Sequence, residues 1–326
     1  MAKLSPLKGN QRNKEYLAKA AEKGKLSHSF IISGEKGSGK RTFTENAAAA
    51  LLCRNNIADR TQPCRSCESC KKVLAGSHPD FIEVRNEKET LISVDEIRSQ
   101  VVADVGIKPF YGPYKIYIIP DASLLNENGQ NALLKTIEEP PEYAVIFLLV
   151  ENEEMLLPTI RSRCIKLSME RLSGQEIEKE TGSRAFAAFA DGNLGKAKEL
   201  AESEEKAGFL KGMEGLLAEI NTYDAVKISK EAAKLDKNNA EFALEIMRKW
   251  FASMLLIKEG TGKNYFPEKV KELERLSQNL SYEDINTVLE ALKSAEEELK
   301  ANVKAEAVFE NIYLLIRNRY GKGSRS

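Results

Sequence analysis

The sequence predicts an α/β domain built on a parallel sheet, followed by an all-helical C-terminal half. In the first half of the 326 residues, short β-branched and aromatic runs alternate with helical segments. This alternation is typical of a parallel sheet with helices on both faces. A glycine-rich loop follows the first of these runs. After about residue 168 the strand signals fade, and apolar residues recur at helical spacing.

Five strands are predicted in the first half. Residues 145–150 are almost continuously apolar, as expected for a central parallel strand that is covered on both faces. The first run ends in a glycine turn at Gly34. In chain order, the predicted strands cover residues 30–34, 81–84, 115–119, 145–150 and 164–167.

Helical patterns lie between these strands. Ile97 and Val101 repeat at helical spacing after Asp95, which we expect to be the N-cap of that helix. Residues 131–139 form a second predicted helix, which stops at Pro140 because proline cannot continue a helix.

We expect three domains. Residues 1–167 form the sheet domain, with a cysteine module inserted at residues 53–70. Residues 168–204 form a small lid of two short helices, separated at residues 191–193, and residues 205–326 form a helical collar.

Composition excludes several classes of protein. Lys and Arg number 49, as do Asp and Glu, so the formal net charge is +0, which excludes nucleic-acid binding through bulk positive charge. The chain contains no apolar stretch of the roughly 18 residues that a membrane span needs, and its start lacks a secretory apolar core. We therefore expect a cytoplasmic protein without membrane contact, in which the cysteines are reduced. Only two histidines are present, which leaves little room for histidine catalysis.

Four of the five cysteines form a cluster with metal-ligand spacing. Cys53, Cys64, Cys67 and Cys70 follow the pattern C-x10-C-x2-C-x2-C, and four thiolates suit tetrahedral Zn²⁺. Four protein ligands leave no position open for water, so the predicted zinc site is structural. An iron–sulfur cluster is the main alternative. Cys164 lies outside the cluster, and we expect it to be a small buried side chain.

The second motif is a phosphate loop. It follows a predicted strand and precedes a helix, the context in which backbone N–H groups and a helix N-terminus bind phosphates. Two glycines permit the tight turn, and a lysine can reach the terminal phosphates. The candidate residues are Gly34, Gly37, Gly39, Lys40 and Thr42.

Two metal ligands of an ATPase are missing from this sequence. The residue after Lys40 should carry a hydroxyl that binds Mg²⁺, but it is Arg41, and Thr42 comes one position late. The third strand should end in Asp-Glu, but it is followed by Pro120 and Asp121. We therefore expect no ATP hydrolysis by this chain, since phosphoryl transfer depends on the metal. Nucleotide binding without hydrolysis stays open.

Several further segments make a resemblance specific. They are His28-Ser29-Phe30, Ser77-His78-Pro79-Asp80, Gln130-Asn131-Ala132-Leu133-Leu134-Lys135-Thr136-Ile137-Glu138-Glu139-Pro140-Pro141 and Thr159-Ile160-Arg161-Ser162-Arg163-Cys164. With the cysteine cluster and the phosphate loop, they resemble the bacterial clamp-loader branch of the AAA+ ATPases. The match is close over about residues 5–170 and looser to about residue 200.

The resemblance implies an AAA+ (P-loop NTPase-like) domain with a zinc module, a lid and a collar. It implies a subunit without ATPase activity of its own in the DNA polymerase III clamp loader, a component of the DNA polymerase holoenzyme. The implied partners are the motor (gamma/tau) and delta subunits in a hetero-pentamer. Through that complex the chain would act indirectly on the sliding clamp and on primed DNA.

The resemblance also implies a role for one arginine. Arg163 would project into the ATP site of the neighbouring motor subunit, as an arginine finger acting in trans. A forked, permanently charged guanidinium suits negative charge that develops on a γ-phosphate. Arg161 lies close enough to be confused with it. Where motor subunits carry a nucleotide-sensing arginine in the lid, this chain has Gly195, with Lys196 one residue on.

Two alternatives remain open at this point. The first is an active motor ATPase, against which Arg41 and Pro120 argue. The second is a zinc-dependent nucleic-acid-binding protein with a vestigial phosphate loop, which would bind duplex in a salt-dependent way.

Overall fold

A computed structural model of the chain describes residues 8–56, 60–85 and 92–322. The chain forms two compact units, of which the first ends at Leu172 and the second begins at Ser173. In the described residues, no helix is both long enough and apolar enough to cross a membrane.

The first unit is an α/β domain. Its strands are β1 (Ser29–Ser33), β2 (Phe81–Glu83), β3 (Lys115–Ile119), β4 (Ala144–Val150) and β5 (Ile165–Ser168). Its α-helices are α1 (Gln11–Glu22), α2 (Lys40–Leu51), α3 (Glu68–Leu74), α4 (Val94–Ile97), α5 (Glu127–Glu138) and α6 (Pro158–Arg161). Short 3₁₀ turns cover Ala122–Leu124 and Glu153–Met155.

The five strands form one sheet in the order β2-β3-β4-β1-β5, and all pairs are parallel. The predicted parallel α/β fold is therefore confirmed. Strand β4 lies at the centre and is buried along its whole length, because helices cover both faces of the sheet. Along β1, Ile31 belongs to the core on one face and Phe30 and Ile32 to the core on the other, as the two-residue period of a strand requires.

The expected N-cap of α4 is wrong. Ser93 is the N-cap: its hydroxyl accepts the backbone N–H of Glu96, and the Glu96 carboxylate accepts the backbone N–H of Ser93. This reciprocal capping box satisfies two orphan donors, so Asp95 falls inside the first turn. After one turn the helix widens into a π-helical segment over Arg98–Val102.

The second unit is helical within its described residues. Its α-helices are α7 (Gly174–Thr181), α8 (Arg184–Ala190), α9 (Leu194–Glu202), α10 (Glu204–Glu219), α11 (Ala225–Ala232), α12 (Ala240–Lys258), α13 (Val270–Gln278), α14 (Tyr282–Lys300) and α15 (Ala305–Lys322). Short 3₁₀ turns cover Ile220–Thr222 and Pro267–Lys269.

Three helices occupy residues 168–204, where two were expected. The turn at residues 191–193 is present, with Asp191 and Gly192 in the left-handed region. The additional break lies at Gly182, whose φ of 69° ends α7. Ser183 then caps α8 by accepting the backbone N–H of Phe186. Gly followed by Ser is itself a helix stop and start signal.

One hydrophobic core runs through the second unit, from Phe189 in α8 to Tyr320 in α15. Phe189 packs edge-on against Phe242 and Phe266, and Trp250 packs edge-on against Phe266. Such aromatic pairs contribute beyond their buried area. The core therefore joins the residues expected in the lid to those expected in the collar, and the boundary at residue 204 stays a prediction.

A charged cluster joins α9 to α12 beside this core. Glu245 pairs with Lys196 at 2.6 Å and with Lys249 at 3.0 Å. Lys249 also donates to the carbonyl of Phe189 and lies 4.3 Å from the centroid of its ring. Burial raises the pKa of Glu245, but the two ammonium groups lower it more, so that it lies below its usual value.

We predict that Glu245→Gln destabilises the second unit by about 2 kcal/mol, because it removes the carboxylate that pairs directly with the half-buried Lys196 and Lys249. The effect is present at neutral pH and fades below about pH 4.3, since a depressed carboxyl pKa stabilises only the ionised form. The measurement is the urea midpoint of unfolding, with the exposed Glu241→Gln on the same helix as the control. Equal midpoints for the two variants would contradict the role of the cluster.

Candidate metal centre and phosphate loop

The four clustered cysteines meet at one point. Their sulfur atoms all lie within 4.8 Å of one another, and the Sγ atoms of Cys64 and Cys70 are 3.9 Å apart. A tetrahedral Zn²⁺ with bonds of about 2.3 Å sets its sulfur ligands roughly 3.8 Å apart. Four thiols at this spacing fit a metal ion, so the structure brings together all four residues of the expected site.

The end of α2 and the start of α3 place the sulfur atoms close to one another. Cys53 follows α2, and Cys67 is the N-cap of α3, with Cys70 in the first turn of that helix. Three backbone N–H groups donate to sulfur at 3.4 Å: Asn56 to Cys53, Cys67 to Cys64, and Cys70 to Cys67. Such bonds stabilise the thiolate form that metals bind.

The cysteine thiols differ in acidity. Hydrogen bonds from the Ser66 side chain and from the backbone N–H groups of Cys67 and Ser66 lower the pKa of Cys64 to about 6. Burial raises the pKa of Cys70 instead. Outside the cluster, burial raises the pKa of Cys164 to about 12, in line with a small buried side chain rather than a reactive thiol.

The phosphate loop has its expected backbone shape. Gly37 and Gly39 have φ angles of 82° and 87°, which glycine adopts without strain. Gly34 has no space for a side chain, since a Cβ there would lie 2.8 Å from the Ser38 hydroxyl and 3.0 Å from Met169. Gly34, Gly37 and Gly39 thus serve one tight turn that leads into α2.

Lys40 closes onto the loop itself. Its ammonium group donates to the carbonyls of Gly34 at 2.6 Å and Glu35 at 3.0 Å. Burial lowers the pKa of Lys40, against the opposing effect of the carboxylates of Glu151, Asp121 and Glu35. The ammonium group of Lys40 is therefore bonded to the backbone of the loop, with acidic groups around it.

Arg41, at the position of the metal-binding hydroxyl, is held by two carboxylates. Its guanidinium pairs with Glu45 at 3.0 Å and with Glu83 of β2 at 2.8 Å. Glu83 also accepts from Arg85 at 2.6 Å. Arg41 and Thr42 both line a groove of about 690 Å³ between α2, α3 and β2. The sequence analysis did not predict that Glu83 pairs with Arg41. The available signal was an acidic residue at the end of a short strand.

The end of β3 also lacks the expected carboxylate. Pro120 directly follows the strand and offers no ligand atom. Asp121 adopts a left-handed conformation, with φ of 47°, and begins a 3₁₀ turn. Because β3 and β1 are parallel strands of one sheet, Pro120 and the phosphate loop lie at the same edge.

The segment after β5 borders the loop, which the sequence did not reveal. Met169 donates its backbone N–H to Ser33 at 2.8 Å and packs against Gly34. Arg171 pairs with Glu35 at 3.0 Å. Asn10 accepts the N–H of Glu170 at 2.8 Å, so residues from both ends of the first unit frame the loop.

Arg163 lies at the surface, paired within its own chain. Its Nε atom is 2.9 Å from Glu138, and the two side chains are 41% and 45% exposed. Its Nη1 atom donates to the carbonyl of Thr159 and the hydroxyl of Ser162, each at 3.1 Å. Exposed ion pairs of this kind contribute little free energy, so the guanidinium can exchange Glu138 for another anion.

The sheet order, with a phosphate loop after β1, matches an AAA+ fold. The model of a protein family described as "DNA polymerase III, delta subunit" matches residues 9–173, which is half of the chain. The chain belongs to this family of clamp-loader subunits.

Curated relatives agree with the family. DNA polymerase III subunit tau of Bacillus subtilis (strain 168) is 30% identical and aligns with 90% of this chain and 57% of its own length. Subunit delta' of the same organism is 25% identical and aligns with 92% of this chain and 94% of its own length. Subunit delta' of Pseudomonas aeruginosa is 37% identical over 43% of this chain and 42% of its own. The alignments cover 57% of that tau subunit, 45% of a gamma subunit of Buchnera aphidicola and 23% of the tau/gamma subunit of Haemophilus influenzae.

We predict that the purified chain retains one metal ion, and that Cys70→Ser loses it because a hydroxyl replaces a thiolate ligand. Elemental analysis after gel filtration under reducing conditions measures the metal content. Cys164→Ser is the matched control, since it removes a buried thiol outside the cluster and should keep the full content. Unchanged metal in Cys70→Ser would refute the four-cysteine centre.

Proposed function

We propose that this chain is a non-hydrolysing subunit of the DNA polymerase III clamp loader. It assembles with motor (gamma/tau) and delta subunits in a hetero-pentamer that loads the sliding clamp onto primed DNA. The observation that carries the proposal is a phosphate loop of normal shape whose metal positions hold Arg41, paired with Glu83, and Pro120.

Hydrolysis of a triphosphate depends on neutralising the charge of its phosphates. In phosphoryl transfer, Mg²⁺ bridges the β- and γ-phosphates and neutralises the charge that develops in the transition state. Here the position of the metal-binding hydroxyl carries a guanidinium that Glu45 and Glu83 hold. Pro120 offers no ligand at the second position. A triphosphate could still meet the loop N–H groups and Lys40, but no ordered metal would stabilise its hydrolysis.

We predict that the purified chain does not hydrolyse ATP above background with Mg²⁺, because both metal ligands are missing. Steady-state phosphate release measures this, and Lys40→Ala is the control for contaminating activity. The similarity to tau and gamma subunits favours a second candidate function, that of a motor subunit that hydrolyses ATP itself. Turnover by the lone chain that Lys40→Ala abolishes would establish that candidate and refute ours.

We further propose that Arg163 acts in trans as an arginine finger for a neighbouring motor subunit. Its exposure and its weak pairing with Glu138 support this role, as does a guanidinium's ability to stabilise charge on a γ-phosphate. Arginine supplied in trans contributes roughly 10³ to 10⁵ in rate in other NTPases.

We predict that Arg163→Ala folds and assembles normally but removes the hydrolysis contributed by the site that it serves. Clamp- and DNA-stimulated ATP hydrolysis of the reconstituted complex should fall by that site's share, and Arg163→Lys should not restore it, because lysine lacks the planar fork. The exposed Lys166→Ala, from the pair with Glu153, is the control. An unchanged rate of ATP hydrolysis in the Arg163→Ala complex would refute the role of Arg163 as an arginine finger. If Arg161→Ala lowers that rate instead, the role belongs to Arg161.

The remaining expectations belong to the same proposal. Zn²⁺ is the metal that best suits four thiolates with no open position, and the donor set of the cysteine centre supports a structural role. DNA contact is shared among subunits, consistent with a formal net charge of +0. The second unit contributes a small lid over residues 168–204 and a collar from residue 205 that packs against other subunits.

A further inference from the structure

One carboxylate, that of Asp80, binds the backbone of an exposed loop between the π-helical segment and β3. Asp80 is buried, and it accepts the backbone N–H groups of Phe110 and Tyr111, each at 2.6 Å. Above these contacts Phe110 is 82% exposed. We refer to residues 108–114 as the Phe110 loop. Its backbone is fixed while its apolar tip faces outward.

Two cations lie close to the ring of Tyr111. The Lys72 ammonium is 4.2 Å from the ring centroid and donates to the Tyr111 hydroxyl at 2.9 Å. The Arg54 guanidinium is 5.1 Å from the same centroid and donates to the Tyr111 carbonyl at 3.2 Å. Cation–π contacts of this kind are attractive even at partly exposed sites.

Two more contacts complete the seat of the loop. Gly112 approaches Leu52 so closely that a Cβ would lie 3.0 Å from the leucine side chain. The His78 ring packs edge-on against Tyr111, with centroids 5.7 Å apart. His78 is also 3.0 Å from the Ser69 hydroxyl, which donates to the carbonyl of Leu52 at 2.7 Å.

These seat residues flank the cysteine ligands along the chain. Leu52 and Arg54 lie on either side of Cys53, and Lys72 follows Cys70 by two positions in α3. One wall of the seat therefore belongs to the end of α2 and the other to α3. The cysteine centre joins these two walls beside the hydrogen bond from Ser69 to Leu52, so a metal ion there would add a second restraint on their separation.

We propose that metal binding by the four cysteines fixes the conformation of the Phe110 loop, and that Arg54 and Lys72 transmit it through Tyr111. The metal module is then a positioning element for an exposed loop, in addition to stabilising its own fold. Loss of the metal lets the two walls separate, which removes the cations from the ring and frees the loop backbone. The proposal rests on the assignment of the cysteines as ligands, and it is independent of the arginine finger.

Limited chymotrypsin digestion of the full chain tests the proposal, since the protease cuts after Phe110 and Tyr111 only when the loop opens. We predict that Lys72→Ala and Arg54→Ala retain one metal ion per chain but are cleaved there roughly tenfold faster. Lys71→Ala is the matched control, an exposed neighbour on the same helix that is not among the Tyr111 contacts. Cys67→Ser, which lacks the metal, should be cleaved at least as fast.

Hydrogen exchange at the Phe110 and Tyr111 amides gives a second measurement, because Asp80 protects both. Faster exchange in Lys72→Ala and in metal-depleted protein, with β4 still protected, supports the coupling. Unchanged cleavage and exchange in the metal-loaded Lys72→Ala and Arg54→Ala variants would overturn it, even if Cys67→Ser fails to fold. Metal content measured on each sample separates this failure from a failure of the metal assignment itself.

Discussion

The geometry around the phosphate loop depends on the parallel pairing of β1 with β4 and β5. In-register pairing, with Ser33 opposite Val150 and Ser168, brings the carboxyl ends of these strands to one edge of the sheet. The phosphate loop, Glu151 and the segment that begins at Met169 all start from that edge. A shift of one residue would reverse the faces of a strand, so the buried β4 also fixes the geometry of the site.

Within that frame, a few substitutions change the chemistry without changing the shape. The glycine turn is intact, and Lys40 donates to the carbonyl of Gly34 within the loop. Arg41, however, occupies the position at which a phosphate loop usually carries the metal-binding hydroxyl. Its guanidinium forms an ion pair with Glu83 on the edge strand β2. Because Glu83 is shared with Arg85, the guanidinium is part of a local charge network. The arrangement keeps the backbone of a phosphate loop, and neither Arg41 nor Pro120 offers an oxygen side chain as a ligand for a cation.

Two local clusters, one in each unit, bring separate helices together. In the first unit, four thiols bring the end of α2 and α3 to one point. In the second unit, Glu245 and two lysines tie α9 to α12 beside a shared aromatic core. Lys196, one residue after Gly195, takes part in that second cluster.

The sequence by itself determined the five strands, the glycine turn and the cysteine cluster, because each depends on neighbouring residues and local periodicity. Tertiary structure decided the rest. Glu83 for Arg41 and Glu138 for Arg163 are partners that only packing brings within reach, and the seat of Tyr111 draws on segments far apart in the chain. The helix break at Gly182 and the N-cap at Ser93 are encoded by neighbouring residues. Each competed with a nearby signal of the same kind, the turn at residues 191–193 and the acidic Asp95. Contacts between distant residues depend on how helices pack on the sheet, and no single-sequence pattern encodes that packing.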